Sequence, residues 1–330
     1  MQAMQIEKPG SPLQLVDLPI PEPRTHQIRV KVTVCGLCRT DLHVLDGELK
    51  QTRYPIVPGH QVVGTIDKIG PEVADLKEGD RVGIPWLAGS CLECEYCAAG
   101  KENLCPQARF TGCQINGGFA QYCVADARYC FALPENYTDL QVAPLLCAGL
   151  IGYRAYRMTG NGQTLGLMGF GASAHILAQL AKGQGKSVFA FTREDDTAAQ
   201  DFALGLGATW AGSSAENPPQ MLDAIIIFAP DGKLVPRALS LVKPGGIVVC
   251  AGIHMSTIPA FSYDLLWQER TLCSVANLTR QDGVDFMALA KDNPVHTEIH
   301  PYPLAQVNQA LNDLRHGKFT GAAVIRVAEE

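Results

Sequence analysis

Residues 164–185 read TLGLMGFGASAHILAQLAKGQG, and this stretch decides the fold of the second half of the chain. Its apolar start predicts a buried strand, and the run from ASAH onward predicts a helix. The turn between them has the pattern G-x-G-x-x-A, in which the first glycine permits a tight turn and the second lets a pyrophosphate approach the backbone. The small third residue allows close helix–strand packing, and the free N–H groups of the helix start face the phosphates. The pattern predicts a dinucleotide-binding turn, with an ordinary glycine-rich turn as the alternative. The predicted cofactor-binding residues of this turn are Gly169, Gly171, Ala172 and Ala174.

Strand-like and helix-like runs continue to alternate after this turn. Such alternation is typical of βαβ units and predicts a doubly wound parallel sheet. The predicted strands are 187–193, 223–230, 247–253 and 272–278, and the predicted helices are 195–208 and 234–246. Residues 303–327 then predict a helix, a turn and a final strand.

The end of the second strand of such a sheet selects the cofactor. An acidic residue there binds the ribose of NAD, whereas an arginine favours the 2′-phosphate of NADP. This chain has Thr192 in the acidic position with Arg193 beside it, and both are predicted cofactor-binding residues. We therefore expect NAD or NADP, with a slight preference for NADP, although the acidic run that begins at Glu194 opposes a phosphate.

The first 135 residues are β-rich. Short runs with many Val, Ile, Tyr and Phe residues, divided by Pro-Gly and Gly-Asp turns, predict a compact barrel or sandwich. Residues 133–160 then predict a helical bridge with Thr138 or Asp139 as its N-cap.

Composition limits the class of protein. The chain has 330 residues, of which 47% are hydrophobic and 18% charged, as expected for an enzyme of two domains. The net charge of −6 and the absence of a basic block argue against a nucleic-acid partner. No signal-peptide pattern and no apolar stretch of about 18 residues is present, so we expect a cytoplasmic protein without a membrane partner. The 12 cysteines then indicate metal ligands and buried thiols rather than disulfides.

Four cysteines share one short segment, GSCLECEYCAAGKENLC (89–105), with the spacing C-x2-C-x2-C-x7-C. Three thiols at three-residue steps, closed by a fourth after a polar loop, can surround one tetrahedral ion. Zinc prefers such a closed thiolate shell when its role is structural. The predicted ligands of this structural zinc are Cys91, Cys94, Cys97 and Cys105.

Further metal-type residues occur outside this segment. Cys38 and His43 lie in CGLCRTDLH (35–43), His60 follows in GHQVVG (59–64), and Cys147 lies on an apolar stretch. Spacing alone cannot join residues so far apart, and a cysteine on an apolar helix is more often part of the core.

Seven motifs occur along the chain in this order: CGLCRTDLH, PGHQVVG, GDRVGIPWLAGSC, the four-cysteine segment, GGFAQY, VAPLLCAG and GFGASA. Through these motifs the chain resembles the zinc-dependent medium-chain alcohol dehydrogenases, close to the short bacterial and yeast members. The resemblance runs from about residue 28 to the C-terminus. It implies an α/β protein: a Rossmann doubly wound parallel-sheet domain at 149–284, and a β-rich GroES-like catalytic domain at 1–148 together with 285–330. It also implies a homo-oligomer, either a dimer or a tetramer.

The resemblance implies roles for individual residues. Cys38, His60 and Cys147 match the ligands of a catalytic zinc, which makes two zinc ions per subunit. Asp41 matches the carboxylate that orients the ligand histidine, with a helix cap as the alternative for Thr40 and Asp41. The remaining implied roles are substrate hydrogen bonding for Thr40, the end of a proton relay for His43, pyrophosphate contact for Arg39 and the substrate pocket for Trp86.

The implied reaction is the reversible oxidation of a small primary or secondary alcohol by NAD(P), most typically the ordinary alcohol dehydrogenase reaction. The alternatives are an NADPH-dependent aldehyde reductase on the same scaffold and a non-catalytic nucleotide-binding protein. Two positions depart from the family pattern. Gln61 follows the ligand histidine where glutamate is common, and Ala322 stands where many members have an arginine.

Overall fold

A computed structural model describes residues 1–328, which form two compact units. Unit 1 comprises Met1–Leu150, Asn277–Asp292 and the segment that begins at Thr297, and unit 2 comprises Ile151–Ala276 and Asn293–His296. No helix within residues 1–328 combines the length and the apolar character needed to cross a bilayer.

The strands and helices are numbered here in chain order. The strands are β1 Gln2–Gln5, β2 Gln14–Asp17, β3 Gln27–Leu37, β4 Gln61–Ile69, β5 Arg81–Ile84, β6 Leu87–Gly89, β7 Arg109–Phe110, β8 Tyr122–Asp126, β9 Phe131–Ala132, β10 Thr164–Met168, β11 Ser187–Thr192, β12 Trp210–Ser213, β13 Leu222–Ile227, β14 Val242–Cys250, β15 Thr271–Ser274, β16 Ile299–Pro303 and β17 Ala322–Arg326. The helices are α1 Arg39–Asp46, α2 Glu95–Ala98, α3 Asp139–Val142, α4 Ala148–Arg157, α5 Ala172–Gly183, α6 Thr197–Gly205, α7 Leu234–Leu241, α8 Arg280–Asp292 and α9 Val307–Arg315.

Unit 1 is built on a seven-stranded sheet of order β16-β17-β3-β4-β5-β9, with β8 also paired to β3. The long strand β3 alternates along QIRVKVTV, so that Val30, Val32 and Val34 are buried in the core. In the antiparallel β3–β4 pair, Gly36 lies opposite Gln61. The last residues of β3 and the first residues of β4 therefore lie side by side at one end of these two strands. The residues that follow β3 and precede β4 are brought together in this way.

Unit 2 contains a six-stranded parallel sheet of order β12-β11-β10-β13-β14-β15. This is the doubly wound order, and its switch point lies between β10 and β13. The central strands are apolar throughout, as strands covered on both faces must be, and every residue of β10 is buried. The predicted α/β class is confirmed, and so is the strand–turn–helix at 164–185.

The predicted helical bridge differs from the structure in one respect. Thr138 caps α3 by accepting a hydrogen bond from the Gln141 backbone N–H, as predicted. The helix then tightens into a 3-10 turn at Ala143–Leu146, which contains Pro144, before α4 begins. Proline has no N–H to donate and crowds the turn before it, which is consistent with the end of α3 at Val142. Cys147 has φ −135° and ψ −69°, outside helical values, and therefore lies at a break before α4.

Candidate functional site

Three side chains that are far apart in the chain converge in unit 1. Cys38 Sγ lies 3.3 Å from His60 Nε2 and 3.8 Å from Cys147 Sγ. All three ligand atoms lie within 4.8 Å of one another. Zinc bonds of ordinary length in a tetrahedral arrangement require about 3.8 Å between two sulfurs and about 3.5 Å between sulfur and nitrogen. The three side chains, which we call the Cys38–His60–Cys147 triad, therefore fit one zinc ion.

Local structure explains this convergence. Cys38 follows the last residue of β3 and is the N-cap of α1, while His60 immediately precedes β4. Cys147 lies at the break between the 3-10 turn and α4. His60 is buried, whereas both cysteines are only half-buried. The set thus offers three protein ligands and one accessible side, which is the arrangement of a catalytic rather than a structural zinc site.

The electrostatic field at the triad favours a positive charge. Burial by itself would lower the pKa of His60, but the negative charges of Asp41 and Cys38 outweigh it and raise that pKa to about 10. A divalent cation placed between the two sulfurs would meet the same field and would compete with the proton for the imidazole. Metal binding at such a set is therefore accompanied by proton release.

Asp41 holds the triad from behind. Its Oδ1 accepts hydrogen bonds from His60 Nδ1 at 3.2 Å and from the Gly59 backbone N–H at 3.3 Å, and its Oδ2 accepts from the Cys38 backbone N–H at 2.9 Å. With its proton on Nδ1, the imidazole keeps an Nε2 lone pair for a metal ion bound beside Cys38, which is how a carboxylate orients a ligand histidine. Asp41 also belongs to the capping box of α1, so both interpretations of this residue describe real contacts. The N-cap itself is Cys38, not Thr40, because the Cys38 sulfur accepts from the Thr40 backbone N–H at 3.4 Å.

The other predicted catalytic side chains lie on α1. Thr40 is buried beside Cys38, and His43 lies three residues later, so both share one helix face. The His43 Nδ1 atom is hydrogen-bonded to the carboxylate of Glu48, a partner that the sequence analysis did not identify. Arg39 is exposed at the first position of the helix.

Trp86 contacts the triad directly. Its indole meets the His60 ring edge-on with centroids 5.1 Å apart and stacks on Phe110 at 5.0 Å with an interplanar angle of 13°. Sequence reasoning missed Phe110, since no local pattern links it to a residue 24 positions earlier in the chain. Gln61, one residue after His60, is buried, and its Nε2 has no hydrogen-bond partner among residues 1–328.

The four-cysteine segment forms a second cluster in unit 1. The Sγ atoms of Cys91 and Cys97 are 3.9 Å apart, those of Cys94 and Cys97 are 3.6 Å apart, and those of Cys91 and Cys105 are 3.5 Å apart. These separations match the edges of about 3.8 Å expected for a tetrahedral zinc–tetrathiolate site. The Cys94 backbone N–H donates to the Cys91 sulfur at 3.3 Å, which stabilises a thiolate. This four-cysteine lobe, residues 91–105, can therefore hold one structural zinc.

The predicted nucleotide turn lies in unit 2. Gly169 has φ +91°, and a Cβ there would come within 2.8 Å of the Ala229 backbone nitrogen, so only glycine fits. Gly171 is the N-cap of α5 and no side chain caps that helix. A Cβ at Gly171 would meet no atom within 4 Å. The helix thus presents free N–H groups to open space, while Ala172 follows in its first turn and the buried Ala174 packs inward, which suits a pyrophosphate.

The end of β11 has a different arrangement from the one that the sequence suggests. Thr192 is buried, and its hydroxyl accepts from Gln200 Nε2 at 3.1 Å and donates to the Arg193 carbonyl oxygen at 3.0 Å. Arg193, Glu194 and Asp195 are exposed, whereas Asp196 is half-buried and caps α6. Of the two predicted residues, Arg193 is the one whose side chain remains accessible to a cofactor.

Comparison with known proteins identifies related chains. The family model for the alcohol dehydrogenase GroES-like domain matches residues 24–135. A probable alcohol dehydrogenase, AdhA, of Mycobacterium tuberculosis is 44% identical and covers 99% of this chain and 97% of its own length. A probable cinnamyl alcohol dehydrogenase of Arabidopsis thaliana is 38% identical over 92% of this chain and 88% of its own. Among solved structures, a cinnamyl alcohol dehydrogenase of Sorghum bicolor superposes with a TM-score of 0.89 at 27% identity, covering 100% of this chain and 99% of its own.

Proposed function

The chain belongs to the zinc-dependent medium-chain alcohol dehydrogenase family, and on this premise we propose that it catalyses the reversible oxidation of a small primary or secondary alcohol to an aldehyde or ketone. The observation that carries the proposal is the Cys38–His60–Cys147 triad with its one accessible side. A scaffold that only bound nucleotides would have no need of an open metal site beside a threonine hydroxyl.

The proposal includes two zinc ions per subunit and one nicotinamide dinucleotide. The triad would hold the catalytic zinc, and the four-cysteine lobe would hold the structural zinc. When bound, zinc supplies the Lewis acidity that makes an alcohol hydroxyl acidic, and the nicotinamide supplies the hydride acceptor.

The protein side chains have distinct tasks in this scheme. Thr40 Oγ1 accepts the proton of the substrate hydroxyl as it gives up its own hydroxyl proton towards His43. His43, with Glu48 bonded to its Nδ1, is the exit towards solvent. Asp41 fixes the tautomer and plane of His60. The indole of Trp86 limits the space beside the triad, which favours small substrates.

For the cofactor, we assign pyrophosphate binding to the turn at Gly169–Ala174 and to Arg39. We keep the slight preference for NADP, supported by the accessible guanidinium of Arg193 and opposed by the acidic residues after it. The proposed cofactor domain spans 149–284, and the proposed catalytic domain spans 1–148 together with 285–330.

An NADPH-dependent aldehyde reductase of the cinnamyl alcohol type is the second candidate. The 38% identity to the Arabidopsis protein favours it. It would use the same ligands and differ in cofactor and pocket, so rates with NAD and NADP against small and aromatic alcohols separate the two.

We also propose a homo-oligomer. Tyr263 and Trp267 are 66% and 59% exposed, and their rings contact each other in the segment that precedes the edge strand β15. Aromatic side chains are enriched at subunit interfaces relative to the rest of the surface, and this pair therefore supports the proposal. The cytoplasmic location stays a prediction.

The Cys38→Ser variant tests the catalytic assignment. We expect turnover to be abolished, as followed by the absorbance of the reduced nicotinamide, while dinucleotide affinity and the zinc of the four-cysteine lobe are retained. Undiminished turnover in this variant would remove the triad from the mechanism.

A further inference from the structure

A glutamate inside the four-cysteine lobe is buried rather than solvated. Glu102 lies in the 3-10 turn Glu102–Leu104, between the third and fourth cysteines, and is 4% exposed. A buried carboxylate is costly unless it is paired and hydrogen-bonded. Its partners come from 178 residues away: Oε1 accepts from the Arg280 backbone N–H at 2.7 Å and from Arg280 Nε at 3.3 Å.

Arg280 is the first residue of α8, so Glu102 acts as a helix cap supplied from a distant part of unit 1. The helix already has a local capping box, in which Thr279 and Asp282 exchange hydrogen bonds. The Glu102 carboxylate satisfies one further N–H of the first turn and lies at the positive end of the helix dipole. The start of α8 is therefore tied to the lobe.

A second contact joins the same arginine to the lobe. The Arg280 guanidinium lies 5.4 Å from the ring centre of Tyr129, whose hydroxyl is 2.6 Å from Ser90 Oγ. Ser90 Oγ is in turn 3.3 Å from Cys97 Sγ. Displacement of the cysteine loop would thus disturb both partners of Arg280 at once.

The first half of α8 packs against β9 and against the backbone that follows Cys147. A Cβ at Gly283 would lie 2.0 Å from Phe131 Cζ, so the helix touches β9 without space between them. One turn later the Phe286 ring lies against Gly149, where a Cβ would be 2.6 Å from Phe286 Cε1. Gly149 is in the first turn of α4, two residues after Cys147.

We propose that Glu102 is a positioning residue for the triad: it couples the order of the four-cysteine lobe, through α8, to the position of Cys147. Each link is a close contact within unit 1, and the connecting element is a helix of 13 residues, which transmits displacement as a rigid rod. This inference rests on the proposed function only in taking Cys147 as a metal ligand.

The test uses the full-length zinc-loaded protein and its Glu102→Ala and Glu102→Gln variants, with Glu95→Ala as a matched control. Glu95 is an exposed glutamate of the same lobe. Hydrogen exchange by mass spectrometry follows residues 280–286 and 147–152. We expect Glu102→Ala to raise exchange in both segments, by about tenfold in the first turn of α8, the factor that loss of one cap produces. Glu102→Gln, which keeps an acceptor oxygen, restores most of the protection, and Glu95→Ala changes neither segment.

A spectroscopic readout separates positioning from stability alone. With Co²⁺ in place of zinc at the triad, we expect the d–d absorption bands of the folded Glu102→Ala protein to shift, because one sulfur ligand has moved. Unchanged bands together with unchanged exchange at 147–152 would overturn the proposal, even if the start of α8 is loosened.

A second variant covers the case in which Glu102→Ala does not fold. Phe286→Leu leaves the cap intact and removes the contact with Gly149, so exchange should rise at 147–152 and stay unchanged at 280–283. If this variant exchanges hydrogen at 147–152 at the same rate as the unsubstituted protein, the coupling is refuted. Failure of Co²⁺ to bind at the triad would refute the proposed function instead, while the exchange result would stand by itself.

Discussion

A buried histidine beneath the nucleotide turn should make the stability of unit 2 depend on pH. His175 lies in the first turns of α5 and is fully buried. Its Nδ1 is 3.4 Å from the Gly171 carbonyl oxygen, and its Nε2 has no hydrogen-bond partner among the described residues. Burial disfavours the charged imidazolium and lowers the pKa of His175 from 6.5 to about 4.

The sign and size of the effect follow from this shift. Between about pH 6.5 and about pH 4, the unfolded chain holds a proton on this imidazole that the folded chain lacks. The stabilising contribution of the neutral form is therefore complete above about pH 6.5 and is lost as the pH falls towards 4. The whole shift corresponds to about 3 kcal/mol of unfolding free energy, of which about 2 kcal/mol is lost by pH 5.

Two replacements that do not titrate, His175→Leu and His175→Gln, test this. The unfolding free energy of unit 2 is obtained from the denaturant dependence of hydrogen exchange in β10 and β11 at about pH 7.5 and about pH 5. When the pH is lowered from about 7.5 to about 5, the unfolding free energy of each variant should rise by about 2 kcal/mol relative to that of the parent. This holds even though the two variants differ in stability at neutral pH. Other titrating groups cancel in the difference. A gain below about 0.5 kcal/mol, or an imidazole pKa above about 6 by NMR, would refute the reasoning.

Three further predictions concern the metal lobe, the sheet and the nucleotide turn. Cys97→Ser should lower the melting temperature and the zinc content by one ion per chain while leaving the KM for alcohol nearly unchanged, as calorimetry, metal analysis and kinetics can establish. Asp223→Asn should lower the unfolding free energy by about 1–2 kcal/mol, because the carboxylate accepts a hydrogen bond from the Thr164 backbone N–H at 2.8 Å and pairs with Lys243 at 2.7 Å. Burial alone would raise the pKa of Asp223, but these partners outweigh it and lower that pKa to about 2. The stability that the carboxylate contributes is therefore complete above about pH 4 and is lost as the pH falls towards 2, which acid titration of the parent and the variant can measure. Gly171→Val should weaken dinucleotide binding at least about tenfold by calorimetry without loss of stability, since a Cβ there meets no protein atom within 4 Å; unchanged affinity would contradict the assigned role.

The sequence predicted unit 2 better than unit 1. Its strands are continuous apolar runs separated by helices of the right length, and this pattern has few solutions other than a parallel sheet. In unit 1 most strands are short, and some pair with strands far away in the chain, as β3 does with β17. Local pattern cannot choose among such pairings, so the sequence indicated only a barrel or sandwich. The break at Cys147 was missed for a similar reason: the apolar stretch around Pro144 suits both a continuous helix and an interrupted one.

Within the candidate site, the residues found by sequence reasoning are those that stand in compact motifs. Cys38, Thr40, Asp41 and His43 all lie in CGLCRTDLH, so the resemblance of this one motif to the family implied a role for each of them. Contact partners that lie far away in the chain leave no recognisable pattern in the sequence. Phe110 stacks on Trp86, and Glu102 binds Arg280 across 178 residues, and only the folded chain brings these pairs together. Side-chain direction is also invisible in the sequence: Thr192 is predicted to bind the cofactor from its position at the end of β11, and its hydroxyl is bonded inside unit 2.

The same difference in chain separation distinguishes the two proposed metal sites physically. Within the lobe, Cys91 and Cys105 are 14 residues apart, whereas Cys38 and Cys147 are 109 residues apart. Closing the longer loop costs about 2 kcal/mol more in chain entropy, and the ligands of the triad are aligned only when β3 and β4 are paired. The lobe can therefore bind its ion early in folding and organise α8 through Glu102, whereas the triad becomes a site only once the sheet exists. If both proposed zinc ions bind, we expect the lobe to be filled before the triad, and the proposed coupling through Glu102 predicts that an empty lobe displaces Cys147.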